Sequence, residues 1–143
     1  MCLHDGVIVT TTLYEAAAFG MRSAVRQKVN VLEMKYLRSL VGASPMDRVK
    51  NEEVRRRAGI ERELESTADQ RVLRRFGHVE RMDKYRVARR VLMAKVSCGW
   101  VRGRPRLGWM NGVKVALGNR LMTVEAARQY RRDRKEWRAL MHM

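Results

Sequence analysis

The chain has 143 residues, with 31 Lys and Arg against 15 Asp and Glu, so its formal net charge is +16. This length suits one domain, and the charge favours a polyanionic partner, nucleic acid above all. Two widely separated cysteines predict neither a zinc site nor a disulfide scaffold, which fits an intracellular protein of the nucleus or cytoplasm, and no apolar run is long enough to predict a membrane segment.

The N-terminal part predicts a short extended segment at residues 6–14, followed by a helix at residues 16–41. Gly42 is a helix stop, with Pro45 just beyond it. One stripe at helical spacing is expected to face inward, and it consists of Val25, Val29, Leu32, Tyr36 and Leu40.

The next helix is short. Asn51 is a good N-cap, Glu52 and Glu53 suit the first turn, and Gly59 follows the end. A domain boundary is predicted here, between a segment at 1–60 and a more basic one at 61–143, although the two could also form one continuous domain.

A longer helix is predicted from about Glu61, with two unlike faces. Its apolar side carries Ala68, Val72, Phe76 and Val79, and its basic side carries Arg71, Arg74, Arg75, His78 and Arg81. Gly77 interrupts it and indicates a kink or a close backbone approach. A further helix at 85–96 is expected to turn three apolar residues inward, namely Val87, Val91 and Leu92.

Residues 98–109 form the least regular part of the chain, a basic loop rich in Gly and Pro. Helices are predicted at 110–121 and again after Thr123, which is a fair N-cap. The inner side of the last helix should carry Ala127, Tyr130, Trp137 and Leu140. Altogether the pattern predicts an all-α fold, a small bundle of about five to six helices.

The positive charge is concentrated in the middle of the chain. Residues 71–106 contain 12 bases and two acids, a balance of +10 (12 − 2), whereas residues 47–65 contain six of each and are neutral. Within the basic stretch, the outward face of the long helix could follow a phosphate backbone, extended by Arg89 and Arg90. The alternative is an ordinary solvated helix face.

The basic loop carries a second candidate site, Arg102, Gly103, Arg104, Pro105 and Arg106. Glycine allows close approach to a narrow groove, and proline keeps the chain extended, so the arginines could enter an A·T-rich minor groove. Over these few residues the pattern resembles an AT-hook peptide. A solvated linker and nonspecific phosphate contact are the alternatives. Trp100 is a candidate for stacking on bases, whereas Trp109 and Trp137 are expected in the core.

No catalytic constellation is present in the sequence. The aspartates are scattered, the histidines are isolated from one another, and neither a phosphate-binding Gly-rich loop nor a serine-nucleophile elbow occurs. We therefore expect no enzymatic activity of the chain by itself, no metal and no cofactor.

Six motifs in order carry a family resemblance that spans residues 13–138. They are Leu13-Tyr14, the run EMKYLRSL at 33–40, DRVKNEEV at 47–54 with RAGI at 57–60, LRRFGHVERMD at 73–83, GRPRLGW at 103–109 and DRKEWR at 133–138. This order resembles the C-terminal portion, the thumb and the segment after it, of the endonuclease–reverse transcriptase of non-LTR (LINE-like) retrotransposons.

The resemblance implies a fragment of an RNA-directed DNA polymerase without its catalytic palm or endonuclease. Such a region would help to hold template and primer, and a missing palm domain would be a partner. Departures from the family pattern, such as Glu15 after Leu13-Tyr14 and Arg75 before Phe76, fit a decayed or domesticated fragment. An independent small DNA-binding protein and a relic open reading frame without a selected role are the alternatives.

Overall fold

The structure, a computed structural model, describes residues 10, 13–14, 23–60, 62–94, 108–130 and 133–142. In these residues every regular element is a helix, which confirms the all-α prediction. The described residues form seven complete α-helices, more than the expected five to six. They are α1 (Ser23–Leu40), α2 (Asn51–Ala58), α3 (Leu64–Glu80), α4 (Val87–Met93), α5 (Trp109–Gly118), α6 (Val124–Tyr130) and α7 (Arg134–His142), with a 3-10 turn at Pro45–Asp47.

The predicted extended segment at 6–14 is described at three positions only. Thr10 is helical, and Leu13 and Tyr14 lie in a turn, so none of these three is extended. The other residues of that segment, and the basic loop at 98–107, lie outside the described residues.

The buried face of α1 differs from the predicted stripe. Val29 is buried and Tyr36 is half-buried, but Val25, Leu32 and Leu40 are exposed. The buried side instead includes Glu33, whose Oε2 accepts a hydrogen bond from Arg55 of α2 at 2.8 Å. The prediction is therefore wrong for three of the five stripe residues, because apolar periodicity alone does not place a paired carboxylate in the core.

The ends of α1 and α2 follow the predicted stop signals. Gly42 and Gly59 both have a φ of 67°, the left-handed conformation in which a helix commonly ends. The predicted N-cap is wrong by one residue: Asn51 is the first residue of α2, and Lys50 is the N-cap without a side-chain hydrogen bond. The Asn51 side chain is occupied elsewhere, since its Oδ1 accepts a hydrogen bond from Arg38 at 3.0 Å.

Helix α3 is the centre of the molecule. It begins at Leu64, three residues after the predicted start, and its apolar side is buried as expected at Ala68, Val72 and Phe76, while Val79 is half-buried. Phe76 packs on Trp109 and Trp137, with ring centroids 6.3 and 6.0 Å away, which places both indoles against the core as predicted.

Gly77 is the site of a close approach. A Cβ placed on it would lie 2.5 Å from Cε2 of Trp137, closer than real Cβ contacts come. Only glycine therefore lets the indole reach the backbone of α3. This confirms the close backbone approach, one of the two interpretations given for Gly77.

Two predictions about the C-terminal half are wrong. In α4, Leu92 packs against the core, but Val87 and Val91 are 71% and 68% exposed. The last predicted helix is two helices, and Tyr130, at the end of α6, is 43% exposed. A second helix start causes the division: the Asp133 carboxylate accepts a hydrogen bond from the backbone N–H of Lys135 at 2.6 Å.

In the part of the chain that the structure describes, three ion pairs with nearly buried carboxylates connect the helices. They are Arg26–Asp69 between α1 and α3, Arg55–Glu33 between α2 and α1, and Arg128–Glu80 between α6 and α3. Asp69 also accepts a hydrogen bond from Asn119, just after α5, at 2.7 Å. The predicted division near residue 60 thus lies between helices that contact each other, since α1 packs on α3.

Candidate nucleic-acid interface

The outward face of α3 carries adjacent basic side chains. Arg74, Arg75 and His78 are exposed, while Phe76 on the opposite side is fully buried. His78 is three residues after Arg75 and four after Arg74, and residues at these spacings are neighbours on a helix surface. The three side chains therefore form a continuous surface. This surface, Arg74, Arg75 and His78, is called the α3 basic face below. Its base is rigid because the same helix contributes to the core.

Two of the predicted residues border this face without being fully exposed. Arg71 is half-buried, and its Nη1 lies 3.5 Å from the backbone oxygen of Leu13. Arg81 is also half-buried; burial lowers the pKa of its guanidinium, and the neighbouring charge of Arg134 lowers the pKa further. Arg134 of α7 therefore adds positive charge beside Arg81 at this edge of the face.

The acids of the basic stretch do not neutralise the α3 basic face. Glu80 is 1% exposed and accepts a hydrogen bond from Arg128 at 3.1 Å. Asp83 accepts a hydrogen bond from the backbone N–H of Tyr85 at 2.8 Å. Among the residues that the structure describes, no carboxylate contacts Arg74 or Arg75.

Helix α4 adds charge beside α3, but its arginines have different surroundings. Arg89 donates hydrogen bonds through Nη1 to the backbone oxygens of Glu80 at 2.5 Å and Met82 at 2.6 Å. It thereby fixes α4 to the C-terminal end of α3, where a cation is favoured. Arg86 and Arg90 are exposed. Of the two predicted α4 residues, Arg90 therefore has a guanidinium available for phosphate contact. The guanidinium of Arg89 already donates hydrogen bonds to two backbone oxygens.

An apolar groove of about 380 Å³ joins the α3 basic face to α4. Arg75 and Val79 of α3 line it on one side, Val91 of α4 on another, and Trp109 of α5 at its end. Arg75 and the outward side of α4 therefore belong to one surface region.

Helix α2 provides a contrast within the same chain. Arg56 and Arg57 are exposed and adjacent, like Arg74 and Arg75, but both donate hydrogen bonds to Glu53, three of them at 2.8 Å. These hydrogen bonds lower the pKa of Glu53 to about 2. Here a local carboxylate compensates the arginine charge, and the surface is correspondingly less attractive to phosphate.

Several predicted site residues lie outside the described residues, and their assignment stays a prediction. They are Trp100, Arg102, Gly103, Arg104, Pro105 and Arg106. Sequence reasoning missed Arg134 as a neighbour of the interface, because it is 53 residues (134 − 81) from Arg81 and nothing in the local pattern links them. It also gave no role to Tyr85, although the residue stands between Lys84 and Arg86.

The described residues contain neither a candidate metal site nor a membrane-spanning helix, and comparison with known proteins gives no match. Within the described segments, no group of three or more His, Cys, Asp or Glu side chains is placed to hold a metal ion. In the same part of the chain, no helix has the length and apolarity needed to cross a membrane. No family model, curated protein or solved structure matches this chain.

Proposed function

We propose that this protein binds nucleic acid through its phosphates, with the α3 basic face at the centre of the contact. The observation that carries the proposal is a pair of exposed arginines, Arg74 and Arg75, on a core-anchored helix, with no ion pair to a carboxylate in the described structure. A cationic surface that its own chain does not neutralise gains most from a polyanion, because each phosphate contact releases condensed counterions.

The geometry favours phosphate contact over base reading by this face. The arginines lie on one exposed side of a 17-residue helix. His78 lies on the same side and can donate a further hydrogen bond to a phosphate. Arg86 and Arg90 continue the positive surface on α4. Such an array follows a backbone without depending on sequence, so affinity should vary with salt more than with base composition.

Salt-dependent binding of a double variant tests the proposal. Replacing Arg74 and Arg75 by Gln removes two charges and keeps good helix formers. If each arginine neutralises one phosphate, the slope of log K against log salt should flatten by about 1.8 on duplex DNA and about 1.4 on a single strand. Affinity should fall by the same factor on A·T-rich and G·C-rich duplexes.

The chain contains a matched control. The double variant Arg56→Gln with Arg57→Gln also removes two positive charges from adjacent, exposed arginines on a helix. These two arginines, however, already donate hydrogen bonds to Glu53. This variant should keep nearly the wild-type slope. Equal flattening in both variants would mean that only net charge matters, and unchanged binding after loss of Arg74 and Arg75 would exclude this face.

For the origin of the chain, we infer descent from the C-terminal region of a non-LTR retrotransposon reverse transcriptase, without polymerase or nuclease activity of its own. The ordered motifs support this inference; two of them, 47–54 and 73–83, overlap parts of α2 and α3. Preference for structured RNA or a primer–template would favour this origin. A strong A·T preference that is lost in Arg104→Ala would favour an independent minor-groove protein.

A retained fragment of this kind would act inside the cell, in the nucleus or cytoplasm, and could dock on a polymerase palm supplied by another chain. If binding depends only on salt and shows no preference between nucleic acids, a relic reading frame without a selected role would be the better explanation. The reading frame upstream in the genome tests the origin independently, because a polymerase catalytic core should be encoded there.

A further inference from the structure

An exposed aromatic ring stands at the corner between α3 and α4. The Tyr85 side chain is 76% exposed, and Lys84 places its Nζ 5.0 Å from the ring centroid. The ring has hydrophobic and cationic neighbours in sequence, since Arg86 and the 71% exposed Val87 follow it. A solvent-facing aromatic ring among cations is the combination with which proteins hold unpaired bases.

The backbone that carries this ring is held in place. The Asp83 carboxylate accepts a hydrogen bond from the Tyr85 N–H at 2.8 Å, and the Asp83 carbonyl accepts one from the Arg86 N–H at 3.0 Å. On the α4 side, Arg89 holds the carbonyls of Glu80 and Met82. A tyrosine on a fixed turn loses little conformational entropy when a ligand stacks on it.

The ring is also within reach of the α3 basic face. Arg81 borders that face, and Tyr85 is four residues further along the chain, so their Cα atoms are at most about 14 Å apart. A strand of a few nucleotides whose phosphates contact α3 can therefore bring a base to Tyr85. In a duplex the bases are paired and stacked inside, and this contact is not available.

We propose that Tyr85 is a stacking site for an unpaired nucleobase, so that the preferred ligand is a single-stranded or looped nucleic acid rather than a duplex. The inference rests on the proposed function, because the phosphate contacts of α3 bring the strand to the ring. The Lys84 ammonium lies 5.0 Å from the ring centroid, a cation–π contact that adds positive charge beside the proposed stacking site. Base identity contributes little, since every base has a π-face.

Binding of a short single-stranded oligonucleotide and of a duplex to the full chain and three variants tests the site. Tyr85→Ala should weaken single-strand binding by about 5- to 150-fold, the equivalent of about 1–3 kcal/mol. Duplex affinity should stay within about twofold, and the salt slope should not change because no charge is lost. Tyr85→Phe should keep the wild-type affinity because it keeps the ring. Tyr130→Ala, which removes another exposed tyrosine, is the control and should also bind as wild type.

An oligonucleotide with abasic sites gives an independent readout. It keeps the phosphates and removes the bases that would stack on Tyr85. The wild type should therefore bind it more weakly than the normal oligonucleotide, while Tyr85→Ala should bind the two with equal affinity. Equal single-strand affinity of Tyr85→Ala and wild type, or an equal loss on duplex, would overturn the stacking site. If the stacking site alone is wrong, the loss caused by Arg74→Gln with Arg75→Gln persists; if the proposed function is wrong, that loss is absent too.

Discussion

Replacing Gly77 by Ala should destabilise the protein, although alanine is the better helix former. In an open helix the substitution would stabilise by about 1 kcal/mol. Here the added Cβ would stand 2.5 Å from Cε2 and 2.9 Å from Cδ1 of Trp137, which is itself only 2% exposed and packs on Phe76. Overpacking of a core usually costs about 1–3 kcal/mol, and a contact this short with a buried ring lies at or above the upper end. The expected net loss is about 2 kcal/mol.

Urea unfolding followed by far-UV circular dichroism measures this loss, and two further variants identify its cause. In a Trp137→Leu background the indole atoms are gone, so Gly77→Ala should become neutral or stabilising by up to about 1 kcal/mol. Gly118→Ala is the matched control, because a Cβ there meets nothing within 4 Å, and it should not destabilise. A stabilising Gly77→Ala, or the same loss in both backgrounds, would refute the close-approach argument.

Two further predictions concern ion pairs. Asp69→Ala should lower the free energy of unfolding by about 1.5–3 kcal/mol in the same urea assay, because it removes the ion pair with the Arg26 side chain, which is only 11% exposed; an unchanged free energy would contradict this. Glu53 should titrate at about 2 by NMR and move toward 4.5 when Arg56 and Arg57 are replaced by Gln; an unmoved pKa would contradict the assigned cause. Because the folded pKa is the lower one, the stabilisation from Glu53 is present above about 4.5 and is lost as the pH falls toward 2.

The sequence predicted the elements whose determinants are local. The two faces of α3 follow from helical periodicity, and the ends at Gly42 and Gly59 follow from the one residue type that adopts positive φ without strain. The α3 basic face could be predicted for the same reason, since its members are one to four residues apart on a helix whose other side is apolar.

The parts that sequence did not predict depend on contacts between distant residues. Glu33 occupies the buried side of α1 with Arg55, 22 residues away, as a partner, and apolar periodicity alone does not predict this shift of the buried face. The partner of Gly77 is 60 residues (137 − 77) along the chain, and the neighbour of Arg81 lies on α7. No local pattern contains these pairings, which arise only when the helices pack.

Labelling of arginines with a dicarbonyl reagent, read by mass spectrometry with and without a bound single-stranded oligonucleotide, tests the location of the interface most directly. Arg74 and Arg75 should be protected by the nucleic acid, while Arg56 and Arg57, whose side chains are 75% and 51% exposed, should react equally in both states. Protection of the α2 pair, or uniform protection of all four, would contradict a nucleic-acid interface centred on α3.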